Sequence, residues 1–333
     1  MRGKFHIAFL LSVLLTAAAT VRDISAQPVP AWDENIPHLM TFGNEGATSW
    51  GDDDFSQTFF FKIPRNYTDP FYIRVFDPDT GGEVDELNGV WNTVMSYSVY
   101  GGAESYSHED AKGLDPVGNY RSGVLLASRT FGNDDRFDNQ WYTFGPFNPA
   151  EGEFVSDFDG YIFKIICEGE EGDDGNMYNY YLSRESNENV PIEDGNAFTY
   201  EYSFRMWNDN NVANIAHIYP YVDTATIFVK QRNFDWDNDG YIRVVSVVRK
   251  GQLQEISGED EWAESQIKIY DEELNSSLDF QFIKNQSSLV RNNNVVISVE
   301  NQYGELLPFF TIPIGGVPVY RAQPKVTRVN ENY

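Results

Sequence analysis

Apolar and polar residues alternate along much of this chain. Phe198, Tyr200, Tyr202, Phe204 and Met206 interleave with Thr199, Glu201, Ser203 and Arg205, a period of two held over nine residues. Side chains of a strand point alternately to its two faces, so this pattern predicts a strand with one buried face. Similar stretches at Thr58–Ile63, Tyr72–Phe76, Ser96–Tyr100, Tyr161–Cys167, Thr226–Lys230, Tyr241–Val248, Gln266–Tyr270, Leu278–Ile283 and Val295–Val299 predict further strands. Gly, Asn, Asp or Pro bounds nearly every one. Short strands separated by turn residues point to an all-β fold of antiparallel sandwiches, not to alternating βα units. The best helical candidate, Glu259–Glu264, is at most about two turns long.

The polar stretch at residues 207–214 divides two strand-rich halves. Two antiparallel β-sandwich domains, jelly-roll or Ig-like, are therefore expected at 50–206 and 215–316. Residues 27–49 read as an extended leader and 317–333 as a tail. Upstream, Arg2 and Lys4 precede an apolar run from Ile7 to Leu15 and the small residues Ala17, Ala18 and Ala19. That is the layout of a secretory signal peptide, expected over 1–26, and it implies an exported protein: extracellular, periplasmic or at the cell surface. No later segment approaches the roughly 20 apolar residues of a membrane span, so membrane insertion is not expected.

Charge narrows the partners. The 333 residues carry 51 Asp and Glu against 24 Lys and Arg, a net charge of −27, and loss of residues 1–26 would deepen it to −29. Such a field repels nucleic acid and anionic lipid. Bound divalent cations would relieve the self-repulsion of a compact polyanion. A single cysteine, Cys167, excludes an internal disulfide framework. It alternates in phase with Tyr161, Phe163 and Ile165 and is expected in the core.

The acids cluster in turns. Asp235-Trp236-Asp237-Asn238-Asp239-Gly240 leads directly into a strand. Oxygens on alternate residues of a tight loop can converge on one hard cation, and the glycine permits the sharp turn. The pattern matches the first half of an EF-hand loop, but Ser246 stands where the bidentate Glu belongs. Calcium at Asp235, Asp237 and Asp239 is therefore one expectation, and an Asp/Asn-Gly hairpin turn with solvated carboxylates is the other. A second cluster, residues 77–86, offers Asp77, Asp79 and Asp85, with Glu86 and Asn88 as alternates. Further acidic turns lie at Asp52–Asp54, Asp134–Asp135 and Asp173–Asp174. A shared site would form if Asp52–Asp54 lay beside Asp77–Asp85.

Phe59–Pro64, Tyr72–Asp79, Asp159–Lys164 and Asp174–Leu182 together resemble the bacterial pre-peptidase C-terminal and collagen-binding-type jelly rolls over roughly residues 50–206. The resemblance implies a β-sandwich with calcium on one sheet edge.

Catalytic patterns are sparse. His38, His108 and His217 are scattered without zinc-protease spacing, and no Gly-x-Ser-x-Gly elbow or phosphate-cradling loop occurs. A carboxylate pair for glycan hydrolysis has no sequence motif, and these acids lie in turns that read as solvated. Tryptophans beside polar turns can offer a flat apolar face to a sugar ring. Trp236 and Trp50 are the candidates, with Trp236 expected to be exposed between two ligands. The expected function is a calcium-stabilised, non-catalytic module binding carbohydrate or an extracellular protein. A secreted glycan hydrolase and a structural subunit of an envelope assembly are the alternatives, the last to be recognised by a long exposed edge strand or a stable oligomer.

Overall fold

The computed structural model describes residues 28–207, 211, 213–237, 240–285 and 293–320. The expected signal peptide, Asp239 and residues 321–333 of the expected tail lie outside them. The described residues are all-β, with helical structure limited to 3-10 turns of three or four residues. Glu259–Glu264 is not helical: its end opens the strand Trp262–Lys268.

A nine-stranded antiparallel sheet forms the spine of the molecule. Its order is Trp262–Lys268, Phe228–Phe234, Asn294–Asn301, Glu201–Arg205, His38–Phe42, Gly175–Ser183, Phe71–Phe76 and Trp141–Phe147, with Pro28–Val29 also on Gly175–Ser183. A seven-stranded sheet faces part of it, in the order Phe309–Phe310, Asn196–Thr199, Ser56–Pro64, Gly160–Glu171, Val94–Gly101 and Val124–Phe131, with Glu153–Val155 also on Gly160–Glu171. Phe59 meets Tyr180 and Tyr202 across this interface, with ring centroids 5.7 and 5.4 Å apart. A four-stranded sheet of Ala216–Ile218, Asp279–Lys284, Gly240–Val245 and Lys250–Leu253 packs elsewhere on the spine, where Phe282 lies 5.3 Å from Phe204. Each fully buried aliphatic or aromatic side chain in these layers is worth about 1.5–3 kcal/mol relative to exposure.

The sandwiches share a sheet. Asn294–Asn301 pairs directly with Glu201–Arg205, and one core cluster holds Tyr202 and Phe204 together with Ile242, Phe280 and Phe282. The backbone thus bridges the stretch at 207–214 by continuous hydrogen bonding on the spine. The long alternating run is also two strands, not one. Phe198 and Thr199 pair with Phe310 and Phe309 in the second sheet, while Glu201–Arg205 pairs with Ser298–Asn294 in the spine. At Tyr200 the chain changes sheets and the buried even positions pass from an outer cluster of Phe198, Tyr200, Phe60 and Phe310 to the main core of Tyr202 and Phe204, so the alternation runs on although the face it buries changes.

The expected leader contributes an inner strand. His38–Phe42 sits between Glu201–Arg205 and Gly175–Ser183, with Leu39 in the main core. Met40 and Phe42 face the other way, where they form a small cluster with Met177 under Trp50, Phe55 and Val84. Those covering residues belong to two acidic loops, 43–55 and 77–90. The loops are therefore held by apolar contacts against the outer face of the spine.

Candidate cation-binding loops

Burial corrects the picture of solvated acidic turns. Asp52, Asp77 and Asp174 are fully buried, Asp79 is 1 % exposed and Asp235 is 2 % exposed. The decisive distinction among them is what each carboxylate oxygen meets. Asp174 is capped by backbone: Oδ1 accepts from Asn88 N at 2.8 Å, and Oδ2 from Asn92 N at 2.9 Å and Thr93 N at 3.2 Å. Such a carboxylate closes a loop and needs no other partner.

Asp77 and Asp79 differ. The strand Phe71–Phe76 ends in Asp77, whose backbone turns into the left-handed region at φ 53°. Asp77 Oδ1 accepts from Asn139 N at 2.8 Å, and Asp79 Oδ2 accepts from Asp134 N at 3.2 Å. Asp77 Oδ2, Asp79 Oδ1 and the hydroxyl of neighbouring Thr80 are buried without a hydrogen-bond partner. Burial pushes Asp77 up to about 7 and Asp79 up to about 6. Their own mutual repulsion adds to Asp77, and Asp138 raises both. Asp138 comes from the loop after Val124–Phe131, which the sequence did not connect with this turn. Gly82 makes the approach possible: at φ 76°, a Cβ there would fall 2.2 Å from Asp138 Oδ1. Arg136 does not neutralise the pair, because it holds Asp134 at 2.5 Å and lowers that carboxyl to about 2.

Asp85 plays another part. Its Oδ2 accepts from Gly81 N and its Oδ1 from Met177 N, both at 2.7 Å, so it pins the loop to the spine. The bare oxygens in this region thus belong to Asp77, Asp79 and Thr80. Hard cations of the calcium type take six to eight oxygen ligands, and water would complete such a shell.

At the 235–240 turn, Asp235 Oδ1 accepts from Asp260 N at 2.6 Å. Burial pushes Asp235 up to about 7, with Asp237, Asp260 and Glu259 adding repulsion. Asp235 and Asp237 both take positive φ, 55° and 53°, and this turns Trp236 inward. Trp236 is 1 % exposed and stands edge-on to Phe282 with centroids 5.7 Å apart. The expectation of an exposed Trp236 is therefore corrected: it is a core residue. Trp50 is half-buried, 5.6 Å from the Phe42 ring. The tryptophan that stands out is Trp32, 82 % exposed, which no sequence pattern marked. Its neighbour Asp33 lines an open groove of about 1180 Å³ with Asn66, Asp159, Asp194 and Asn196.

Asp52–Asp54 and Asp77–Asp79 do not merge. The loops flank the same apolar cluster, but Asp77 and Asp79 feel Asp138, whereas Asp54 feels Asp52 and Asp53. Cys167 is fully buried, and burial pushes its thiol up to about 12, as a core cysteine requires. Among the described residues no helix is long and apolar enough to cross a membrane. No protein-family model matches the chain, and a search of curated proteins returns no match.

Proposed function

We propose that this is an exported, calcium-stabilised β-sandwich protein that binds carbohydrate or a surface protein and does not catalyse a reaction. The observation that carries the reading is the pair of buried, bare carboxylate oxygens on Asp77 and Asp79, backed by Asp138. A buried polar group without a partner costs roughly 1–3 kcal/mol, and a charged one more. A divalent cation converts that cost into a set of ligand bonds. The kinship with pre-peptidase C-terminal and collagen-binding jelly rolls belongs to the same proposal. For the ligand, the groove offers Asp, Asn and Lys62 side chains suited to sugar hydroxyls, and the exposed ring of Trp32 adjoins its lining residue Asp33 in the chain.

Thermal unfolding of the protein with excess calcium and with chelator tests the first half. A native-state ligand stabilises by RT ln(1 + [L]/Kd), about 2.7 kcal/mol at a hundredfold excess over Kd. A rise in Tm supports the reading, and unchanged melting refutes it. Glycan screening in calcium tests the second half. Release of reducing sugar that is lost in Asp194→Asn would replace the binding reading with the hydrolase. The envelope-subunit reading draws on the eight-residue edge strand Val124–Phe131, where Val124 and Leu125 are more than half exposed. A stable oligomer in light scattering would favour it.

A further inference from the structure

The most compact acidic cluster among the described residues is not the one that the motif spacing favours. Asp52, Asp53 and Asp54 each offer one oxygen, and these oxygens lie within 4.8 Å of one another. Ligands about 2.4 Å from one calcium ion can be at most twice that distance apart, so the spacing fits a shared cation. Gly51 builds this geometry. At φ 87°, it ends the 3-10 turn Thr48–Trp50, and a Cβ there would come within 2.5 Å of Asn294 Cβ. The loop is thereby pressed onto the spine strand Asn294–Asn301.

Part of the cluster is satisfied locally. Asp52 accepts from Phe42 N at 2.7 Å and Phe55 N at 2.8 Å, and Asp54 accepts from Ser56 N at 2.8 Å. Asp53 Oδ1 is buried without a partner. A second, separate element points at the same place. Glu201, on the spine strand Glu201–Arg205, is 8 % exposed, and its Oε2 is buried without a partner. The charges that act on it are, in order, Asp53, Asp54, Asp115 and Asp52. Ser298, directly across the ladder from Glu201 and 1 % exposed, adds another unpartnered buried oxygen on that face. Arg232 acts on Asp53 but is already paired with Glu264 at 3.1 Å.

We propose that Asp52, Asp53 and Asp54 form a second site for a hard divalent cation, distinct from Asp77–Asp79, with the buried, unpartnered Glu201 carboxylate and the exposed Asp115 adding negative charge beside it. Such an ion would neutralise charge gathered from three segments far apart in sequence: the loop at 51–55, a spine strand and the loop at 109–120. It rests on the calcium reading above only for the choice of ion.

The test uses the full chain, stripped with chelator, and calcium alone as probe at matched ionic strength. Asp79→Asn disables the first site and is the background for the second. In that background, a hundredfold excess of calcium over Kd should still raise Tm by about 5 °C. Adding Glu201→Gln should lower calcium affinity at least tenfold and so cut that rise to about half or less, while raising Tm in chelator, because the replacement removes a buried charge without changing its shape. Asp53→Asn should act in the same way and serves if Glu201→Gln does not fold. No residual calcium response in Asp79→Asn, or a response unchanged by both added substitutions, overturns the proposal. Failure of the first-site reading looks different: Asp79→Asn alone would leave the calcium response of the wild type intact.

Discussion

Replacing Asp77 by Asn should stabilise the calcium-free protein and weaken its response to calcium. Asp77 is fully buried, and its carboxyl is raised from 3.8 to about 7, chiefly by burial and then by Asp79 and Asp138. A carboxyl whose folded pKa exceeds its unfolded one holds its proton in the folded chain while the unfolded chain releases it. Stability is therefore lost as pH rises from about 4 through 7, and the penalty is complete above the folded value. At about 1.4 kcal/mol per pKa unit, and discounted for relaxation around the charge, the penalty is about 2–4 kcal/mol. Asn keeps the shape and can still accept from Asn139 N, and it tolerates the left-handed backbone at φ 53°. In chelator at about pH 8, Asp77→Asn should therefore melt roughly 5–10 °C above the wild type. The difference should shrink as pH falls and vanish below about pH 3, where both states are protonated. In calcium, the variant should gain less than the wild type, because one ligand is gone. Circular dichroism melts over this pH range, with chelator and with calcium, read all of these. A variant less stable than wild type in chelator, or one with the full calcium response, would refute the reasoning.

Three further outcomes are expected. Trp236→Ala should cost about 3–5 kcal/mol in denaturant unfolding, as removal of a buried aromatic does, since Trp236 packs on Phe282 and is 1 % exposed. Trp32→Ala should leave the unfolding midpoint within about 0.5 kcal/mol of wild type, given its 82 % exposure, while abolishing retention on an immobilised glycan that the wild type binds. Arg249→Met should cost about 3–5 kcal/mol, because it strands Glu273. That carboxylate is fully buried and accepts from Arg249 Nε at 2.7 Å and Nη2 at 3.0 Å. Replacing both partners with apolar residues should recover much of the loss.

Legibility followed exposure. Strands such as Ser56–Pro64 and Asp279–Lys284 were visible because turn residues bound them and aromatic or branched residues fill them. His38–Phe42 was not, and Gly175–Ser183 entered only through the jelly-roll resemblance, because the spine is covered on both sides there and the inward-outward contrast disappears. Val124–Phe131 was missed for the opposite reason: as an edge strand it has exposed residues on both faces. At the acidic turns, residue type marked Asp77 and Asp79, but the amides of Met177 and Asn88 that help satisfy Asp85 and Asp174 come from distant segments and leave no local trace. Asp138 and Glu201 reach their clusters through tertiary contact alone. Trp236 misled because charged neighbours suggest exposure, whereas the positive φ of Asp235 and Asp237 folds the indole into the core.

The most direct measurement is calorimetric titration of the chelator-stripped protein with calcium, repeated in two buffers of different ionisation enthalpy near about pH 5.5, below both raised carboxyl values and above the ordinary range. Saturable binding with release of protons is expected, because ligands such as Asp77 and Asp79 hold protons until the cation displaces them. Heats that do not saturate, or binding with no dependence on the buffer, would contradict it.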